Sequence, residues 1–218
     1  MSTITKLALG MMGQLRPKPV QGNAATSIIL PPPTKHGGTP LMDALCKRCS
    51  SREFSSVVLP LPLLSDLLWA ANGMNRSDGK RTAPSALNAQ EIDIFLALPS
   101  GAYRYDAFAH ALHLVAASDL RRVTGYQDFV DEAPLDLVYV VDYARMSMVP
   151  VTQRESYASV AAGAIAQNVY LFAACNGLAT VLRAWIDRGA IADALGLTHD
   201  QQVLLSQTVG YPGPAASS

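Results

Sequence analysis

Residues 48–54 read Arg48-Cys49-Ser50-Ser51-Arg52-Glu53-Phe54 and place two guanidinium groups and two hydroxyl groups around a single turn of chain. A phosphomonoester binds best to charge-assisted donors, and an arginine offers a planar fork that can hold two phosphate oxygens. Taken alone, this spacing is more typical of a solvated helix end with surface charge. Its meaning depends on a second stretch about thirty residues further along the chain.

That second stretch is Pro84-Ser85-Ala86-Leu87-Asn88-Ala89-Gln90, a turn of small residues ahead of an apolar strand. Proline and small side chains leave a flat surface that a planar ring could approach closely. Asn88 and Gln90 each offer a donor and an acceptor to a heteroaromatic edge. A proline–serine pair commonly just opens a helix, but the occurrence of both stretches in this order favours the ligand-binding interpretation of each.

Composition limits the classes of protein to be considered. The 218 residues predict one domain by default, with two small domains as the alternative. Half of the residues are hydrophobic and only 16% are charged, which excludes a disordered charged protein. The formal net charge is zero, so we expect neither a basic face nor a nucleic-acid partner. Polar or charged residues interrupt the interior apolar stretches before they are long enough to cross a membrane, and we expect no membrane association.

The N-terminal residues and the three cysteines indicate the cellular compartment. The apolar stretch at residues 7–12 is shorter than a secretory signal, and three cysteines fit a reducing compartment, so we expect a cytoplasmic protein. Cys46 and Cys49 form a C-x-x-C that we interpret as half-buried thiols at a helix end rather than a redox site. The histidines at 36, 110, 113 and 199 lack metal-ligand spacing, and no metal site is predicted.

The periodicity of the remaining chain predicts an α+β fold. Residues 1–38 contain five prolines and read as an extended N-terminal arm that lies on the body or reaches a partner subunit, and residues 39–218 form the domain. Helices are expected from Thr39-Pro40, with Thr39 as N-cap, near 62–73, 153–176 and 189–195. Strands are expected at 91–98, 101–105, 110–116, 136–141, 180–186 and 201–210. The result is a mostly antiparallel central sheet of four to five strands, wrapped by helices.

The long helix expected at 153–176 is rich in alanine and also contains Gly163. Small residues let another backbone approach closely. From composition alone, tight packing on the protein's own sheet and a place at the centre of a homodimer are equally good interpretations.

The two opening stretches, in this order, resemble the signature of the FMN-dependent nitroreductase family. The first has the register R-x-S-x-R/K-x-F/Y through Arg48, Ser50, Arg52 and Phe54. The second has the pattern P-S-x-x-N-x-Q through Pro84, Ser85, Asn88 and Gln90. Gly177-Leu178 at the end of the long helix, the segment 184–187 and the ending Val209-Gly210-Tyr211-Pro212 extend the similarity over about residues 40–212.

The resemblance implies a homodimer with FMN bound at the subunit interface. Residues 48–50 would hold the phosphate, and Arg52 would lie near the ribityl chain and the N1/O2 side of the ring. Residues 84–86 would line the ring from the other subunit, with Asn88 nearby. The backbone N–H of Ala184 or Trp185 would face N5, and Gln127 the pyrimidine edge. The implied cofactor-binding residues are Arg48, Cys49, Ser50, Arg52, Pro84, Ser85, Ala86, Asn88, Gln127, Ala184 and Trp185.

The resemblance also implies an activity. NADH or NADPH would reduce the flavin through N5, and a small-molecule acceptor such as a nitroaromatic or a quinone would then reoxidise it in a ping-pong cycle, without a catalytic side chain that we can name. One alternative is an azoline-type dehydrogenase acting on a peptide or small molecule. The chain resembles that branch through residues 67–73 and 81–85 together with Gly101-x-Tyr103-x-Tyr105. The other alternative is a non-catalytic flavin-binding protein.

Two departures from the family pattern modify these expectations. Many members end in a basic pair that also holds the phosphate, whereas this chain ends Gly-Pro-Ala-Ala-Ser-Ser. Arg52, Arg81 or Lys47 is then a candidate to share the phosphate charge with Arg48, and we expect weaker FMN binding than is usual for the family. Trp185 stands where glycine is frequent, and its ring is expected either to narrow the substrate channel or to pack.

Overall fold

The computed structural model describes residues 1–20 and 24–214. Within them the chain forms five α-helices and nine strands. The helices are α1 (Thr3–Met11), α2 (Leu41–Lys47), α3 (Leu61–Asn72), α4 (Val151–Cys175) and α5 (Arg188–Leu195). The strands are β1 (Lys18–Pro19), β2 (Ser27–Ile29), β3 (Ile92–Leu98), β4 (Gly101–Asp106), β5 (Ala111–Ala116), β6 (Ser118–Asp119), β7 (Leu135–Asp142), β8 (Ala179–Arg183) and β9 (Gln201–Gly210).

Seven of these strands form one sheet in the order β2-β5-β4-β3-β7-β9-β8, and every neighbouring pair is antiparallel. The predicted α+β class with an antiparallel central sheet is confirmed. The sheet is larger than the four to five strands expected, partly because β2 adds itself to the edge strand β5. A three-residue strand is too short to show a period-2 pattern, and backbone pairing alone defines it.

Alternation along the central strands divides the interior into two cores. Ile94, Leu96 and Tyr139 face a core that also contains buried residues of α3 and α4. Phe95 and Val138 face the opposite side, where residues of α5 pack. Because successive strand side chains point to opposite faces, the sheet is covered by helices on both sides.

Helix α4 is the long helix expected from the sequence. Ala158, Ala162 and Val169 are completely buried against the rest of the core. By length and composition alone α4 could also cross a membrane, although the apolar stretches of the chain were expected to be too short for that. A helix packed on a sheet meets the same criteria, and its buried alanines give α4 that role here.

Residues 1–38 were expected to be extended, but this N-terminal segment contains the helix α1. Ser2 caps this helix by accepting a hydrogen bond from the Thr5 N–H. The Lys6 ammonium group is fully buried, donates to the carbonyl oxygens of Gly125 and Gln127 at 3.3 and 2.9 Å, and pairs with Asp131 at 2.9 Å. The segment therefore lies on the body of the same chain, and the arm–domain boundary at residue 38 stays a prediction.

Helix α2 begins one residue later than its sequence pattern indicates. Pro40, rather than Thr39, occupies the N-cap position, and no side chain caps the helix there. Helix α3 ends at Gly73 as expected, where the Gly73 N–H closes the last turn on the Trp69 carbonyl.

Candidate active site

Residues 48–54 lie between α4 and the first half of β8. The Ser50 hydroxyl is 2.9 Å from the Tyr170 hydroxyl on α4, and that same hydroxyl accepts a hydrogen bond from the Leu182 N–H at 2.9 Å. The Ser51 N–H donates to the Thr180 carbonyl at 3.0 Å. One tyrosine on the long helix therefore ties the serine-rich turn to the strand beside it.

The cations of this turn are available to a ligand. The Arg48 guanidinium lies 5.5 Å from the centre of the Tyr170 ring, a cation–π distance that holds the side chain near Ser50. Arg52 is exposed, and so are Cys46 and Cys49, which were expected to be half-buried. In the part of the chain that the structure describes, neither Arg48 nor Arg52 has a carboxylate within 4.0 Å. Among the described residues, no carboxylate thus neutralises these two positive charges.

Strand β8 ends at Arg183, which forms a buried ion pair with Asp136. This pair fixes the start of the next segment, residues 184–185. The Arg183 guanidinium donates to Asp136 at 2.7 Å, to the Thr124 carbonyl at 2.8 Å and to the hydroxyls of Ser206 and Thr208 at 3.0 and 2.9 Å. Burial lowers the pKa of Arg183, and the Asp136 carboxylate opposes that shift. The chain is therefore fixed immediately before Ala184.

The two residues after Arg183 are exposed to solvent. Ala184 is exposed and Trp185 is 51% exposed, whereas Ile186 returns to the core. The Trp185 ring lies 5.5 Å from the ring of Tyr126, centre to centre. Residues 184–185 thus form a short exposed ledge between two buried neighbours.

The ledge is bordered by the segment that contains Gln127. Gly125 packs so closely on Arg183 that an added Cβ would lie 1.8 Å from Nη1, and Gln127 Oε1 is also within 2.9 Å of that position. Gln127 Oε1 is buried without a hydrogen-bond partner among the described residues. An unsatisfied buried amide is costly unless a ligand or water completes it.

Arg52 lies at the far side of the same region. It lines a cleft of about 420 Å³ with Phe54, Asp128 and Phe129. The rings of Phe54 and Phe129 are 5.4 Å apart, and Arg183 lies 5.8 Å from the Phe129 ring. Residues 48–51, 124–129 and 184–185 therefore lie along β8, with Ser51 at its first half and Thr124 at its last residue, Arg183.

Residues 84–90 form a separate wall. The Ser85 hydroxyl accepts from the Gln90 N–H at 2.7 Å and donates to Glu91 at 2.5 Å, and the Gln90 amide donates to the Gly79 carbonyl at 3.0 Å. The Gln90 amide is therefore used inside the protomer rather than offered to a ring edge. Pro84 and Asn88 are exposed, and Ala86 is half-buried.

The backbone of this turn is unusual. Leu87, Asn88 and Gln90 adopt φ values of 54°, 53° and 51°, in the left-handed region that a leucine rarely enters. Leu87 is 72% exposed, so it contributes nothing to the protomer's own core. Backbone of this kind is often found at functional sites, where the surrounding structure holds it.

The two walls contact different parts of α4. Ser50 meets Tyr170, whereas residues 84–90 border a small pocket with Ala161 and Ile165. Five to nine helical residues separate these contacts, or about 8–14 Å along the axis at 1.5 Å per residue. Arg81 borders the second wall rather than the first.

A larger cleft of about 550 Å³ lies elsewhere, between residues 34–39, α2, α3 and α4, and none of the predicted cofactor residues lines it. Sequence reasoning also missed Tyr170, Tyr126 and Arg183. The phenol of Tyr170 in an alanine-rich helix was a visible signal, since a buried tyrosine hydroxyl usually has a partner. Arg183 gave a weaker one, as a charge at the end of an apolar strand.

Comparison with known proteins places this geometry in a family. Residues 45–211 match the family model described as the nitroreductase family. A protein of Methanocaldococcus jannaschii, provisionally named a nitroreductase, is 32% identical over 151 residues, which span 65% of this chain and 76% of that protein. A crystal structure from Ralstonia eutropha, also provisionally named a nitroreductase, is 48% identical, with a TM-score of 0.88 over 92% of this chain and 96% of its own.

More distant structures share the fold alone. The NADPH:FMN oxidoreductase of Vibrio harveyi, solved with NAD⁺, has a TM-score of 0.61 and 20% identity over 80% of this chain and 69% of its own. A chain of the Escherichia coli microcin synthetase McbBCD complex has a TM-score of 0.68 and 19% identity over 83% of this chain and 76% of its own.

Proposed function

The chain belongs to the nitroreductase family, and on that premise we propose that it is an FMN-dependent oxidoreductase that passes hydride from NADH or NADPH to a small-molecule acceptor. When bound, FMN would supply the ring that receives and returns the hydride. The protein's own part is to bind, orient and tune that ring.

The observation that carries this proposal is the placement of Arg48 and Ser50 against Tyr170 alongside β8, with Arg52 in the adjoining cleft and no carboxylate among the described residues within 4.0 Å of either arginine. Arg48 and Ser50 supply charge-assisted and neutral donors to a phosphate, and Tyr170 preorganises both. These donors fit the phosphate end of an FMN molecule. The assignment of Gln127 to the pyrimidine edge rests on the family resemblance, and its Oε1 lies buried beside Gly125.

Arg183 and Gly125 have a positioning role in this proposal. The buried guanidinium holds the end of β8, and the backbone N–H groups of Ala184 and Trp185 follow directly. A donor fixed in advance costs little reorganisation when negative charge develops next to it. We assign the N5-facing donor to this ledge, and we assign no catalytic acid or base.

We further propose that the site is completed by a second copy of the chain, which supplies its residues 84–88. The exposed faces of α2 and α4 carry large apolar side chains, among them Leu41, Met42, Leu45 and Val160. Gly163 on α4 has no atom within 4 Å of where a Cβ would stand, so another backbone could approach there. Leu87, in its left-handed turn, is a further exposed apolar side chain that a second copy could bury.

The test begins with the purified protein's visible spectrum. We expect a yellow protein with a flavin spectrum that bleaches when NADH or NADPH is added without oxygen, and that recovers when a quinone follows. A yellow protein that neither nucleotide bleaches would favour the azoline-type dehydrogenase or a non-catalytic flavin-binding protein. A colourless protein that cannot be loaded with FMN would contradict the proposal.

A further inference from the structure

We propose that Arg145 and Glu91 are positioning residues that hold the turn at residues 84–90 from behind, so that it faces the flavin bound by a second copy of the chain. The inference rests on the proposed function and names the side chains that preorganise the second wall of the site. Neither residue was singled out from the sequence, and neither is among the implied cofactor-binding residues.

The turn at residues 84–90 has a conformation that its own residues disfavour. Leu87, Asn88 and Gln90 have φ values of 54°, 53° and 51°, and none of them is a glycine. A left-handed backbone costs free energy in a residue that carries a Cβ, and it persists where the surrounding structure holds it. The contacts behind this turn therefore decide whether it keeps its shape.

Glu91 fixes the beginning of the turn. Its side chain is completely buried, and one carboxylate oxygen accepts from the Ser85 hydroxyl at 2.5 Å. The Ser85 oxygen accepts in turn from the Gln90 N–H at 2.7 Å, which joins the two ends of the turn. The Glu91 backbone is fixed as well, because its carbonyl accepts from the Asp142 N–H of β7 at 2.8 Å. The beginning of the turn is thus tied to the central sheet.

Arg145 fixes the end of the turn. It lies in a helical turn at residues 143–146, directly after β7. Its guanidinium donates to the Gln90 carbonyl at 2.9 Å, to Asp93 at 2.6 Å and to Asp142 at 3.1 Å. Asp93 belongs to β3 and is almost completely buried, so it holds the guanidinium in one orientation. A planar fork binds three acceptors in this way, and a lysine ammonium does not have that geometry.

The outer side of the turn is exposed. Pro84 and Asn88 lie at the surface, and Leu87 is 72% exposed. The protomer's own Ser50 meets α4 about 8–14 Å further along the helix axis, so the turn does not border that phosphate-binding residue. A turn that is anchored behind and open in front is prepared for a second copy's site, because a wall ordered in advance need not be ordered when the ligand binds.

The first measurement is the FMN dissociation constant of the apoprotein, from the quenching of FMN fluorescence. Arg145→Met should raise it roughly tenfold, because the turn must then be ordered as FMN binds. Arg145→Lys, which keeps only the charge, should have an intermediate value. Arg121→Met is the matched control, since that guanidinium also binds a carboxylate and a backbone carbonyl, those of Asp119 and Ala133. Its dissociation constant should stay within about twofold of the wild type.

The second measurement needs no flavin. Amide hydrogen exchange at residues 85–90 of the FMN-free protein reports how firmly the turn is held. Arg145→Met should speed this exchange roughly tenfold, whereas Arg121→Met should leave it unchanged. Glu91→Leu should act like Arg145→Met, while Glu91→Gln, which keeps an acceptor for the Ser85 hydroxyl, should stay close to the wild type. This second pair of variants carries the test if Arg145→Met does not fold.

The third measurement locates the effect on one subunit or the other. Arg48→Ala and Arg145→Met chains are expressed together with different tags, and the mixed dimer is purified through both tags. One of its sites then combines an unaltered Arg48 with an unaltered turn, and the other site has both defects. We expect about one FMN per mixed dimer, bound with the wild-type dissociation constant. A general loss of stability would instead impair the Arg145→Met chain's own site, and neither site would bind normally.

Several results would overturn the inference while a yellow, NADH-bleachable wild type leaves the oxidoreductase assignment intact. An Arg145→Met protein with wild-type FMN affinity or wild-type exchange at residues 85–90 is the first. Equal losses of FMN affinity in Arg145→Met and Arg121→Met would attribute the effect to stability alone. A mixed dimer without a site of wild-type affinity would overturn both this inference and the shared site. A wild-type protein that takes up no FMN would overturn the proposed function itself.

Discussion

At the scale of single residues, the candidate site depends on positions where one atom more would not fit. Gly125 is the clearest of these, because Arg183 Nη1 occupies the space of its missing side chain and that guanidinium is held by four hydrogen-bond partners. The close approach brings Gln127 next to the Arg183 anchor. Sequence reasoning named Gln127 from family resemblance but had no means of finding the packing that places it.

Gly125→Ala should therefore destabilise the protein by about 2–3 kcal/mol, because the anchored guanidinium must move. The measurement is the free energy of unfolding from urea titration. Gly189→Ala on α5 is the matched control, since a Cβ there meets only Asp187 Oδ1 at an ordinary 3.7 Å. We expect that variant to be neutral or up to about 1 kcal/mol more stable, and equal losses in both variants would contradict the account.

His110 predicts a pH dependence of stability. Its ring nitrogens meet the Ser65 hydroxyl at 2.7 Å and the Tyr105 hydroxyl at 2.9 Å, and burial lowers its pKa despite an opposing hydrogen bond with Pro31. The charged neighbours act in opposite directions, since Lys35 lowers this pKa and Asp66 raises it. As the pH falls, His110 is therefore protonated at a higher pH in the unfolded chain than in the folded protein.

This histidine's share of the stability is present above its unfolded pKa of about 6.5 and declines below it, levelling off beneath the folded pKa. We expect the wild type to lose more unfolding free energy between pH 8 and pH 5.5 than His110→Asn does. Asparagine suits the position because His110 has a φ of 49°. A larger pH dependence in the variant would contradict the assignment.

At the scale of elements, the helices and strands that could be predicted were those with a pattern in their own sequence, and those missed are stabilised by contacts with the rest of the fold. The helix that ends at Gly73 and the alternating strand at residues 92–98 carry their own patterns, and both were predicted from local sequence. Helix α1 and strand β2 lie in a proline-rich segment and gain their stability from docking, through Lys6 and through pairing with β5. Such tertiary contributions override local propensity and leave no periodic signal.

The docking of α1 yields a prediction of its own. Lys6→Met removes the cation from Asp131, whose carboxylate is almost entirely buried, and breaking one side of a buried ion pair costs about 3–5 kcal/mol. Because Arg122 and the N-terminal amine also lie within 4.0 Å of Asp131, we expect the lower end of that range. Thermal unfolding provides the measurement.

Lys6→Met with Asp131→Asn is the control for this pair, since it removes the unpaired charge. The double variant should recover part of the lost stability. If Lys6→Met melts like the wild type, α1 is not held by this ion pair.

At the scale of the whole molecule, the structure separates two sets of predicted cofactor residues along α4. Residues 48–52 and 184–185 meet at β8, whereas residues 84–88 border Ala161 and Ile165. Within one protomer the two sets lie about 8–14 Å apart along the axis of α4. A second copy remains our proposal for joining them, and a cytoplasmic location stays a prediction.

The exposed face of α4 tests that proposal. Gly163→Leu should weaken the homodimer at least tenfold by blocking close approach, while the protomer keeps its helical content. The matched control is Asp193→Leu, on the exposed side of α5. Sedimentation over a concentration series measures the equilibrium, and a Gly163→Leu protein as dimeric as the control would place the interface elsewhere.

The proposed cofactor site depends most on the residues that would bind the FMN phosphate. The last four residues of the chain, 215–218, lie outside the described residues. Arg48 is the cation that lies beside the Ser50–Tyr170 contact. Retention of FMN should depend on it strongly.

The most direct measurement is the ratio of FMN to protein after gel filtration, determined from the visible and ultraviolet spectra. We predict a ratio near one per chain for the wild type, nearly zero for Arg48→Ala, and an intermediate value for Arg48→Lys, which keeps the charge but loses the planar fork. Arg104→Ala, on an exposed position of β4, should retain FMN like the wild type. An Arg48→Ala protein that stays yellow would contradict the placement of the phosphate and, with it, the assignment of the cofactor site.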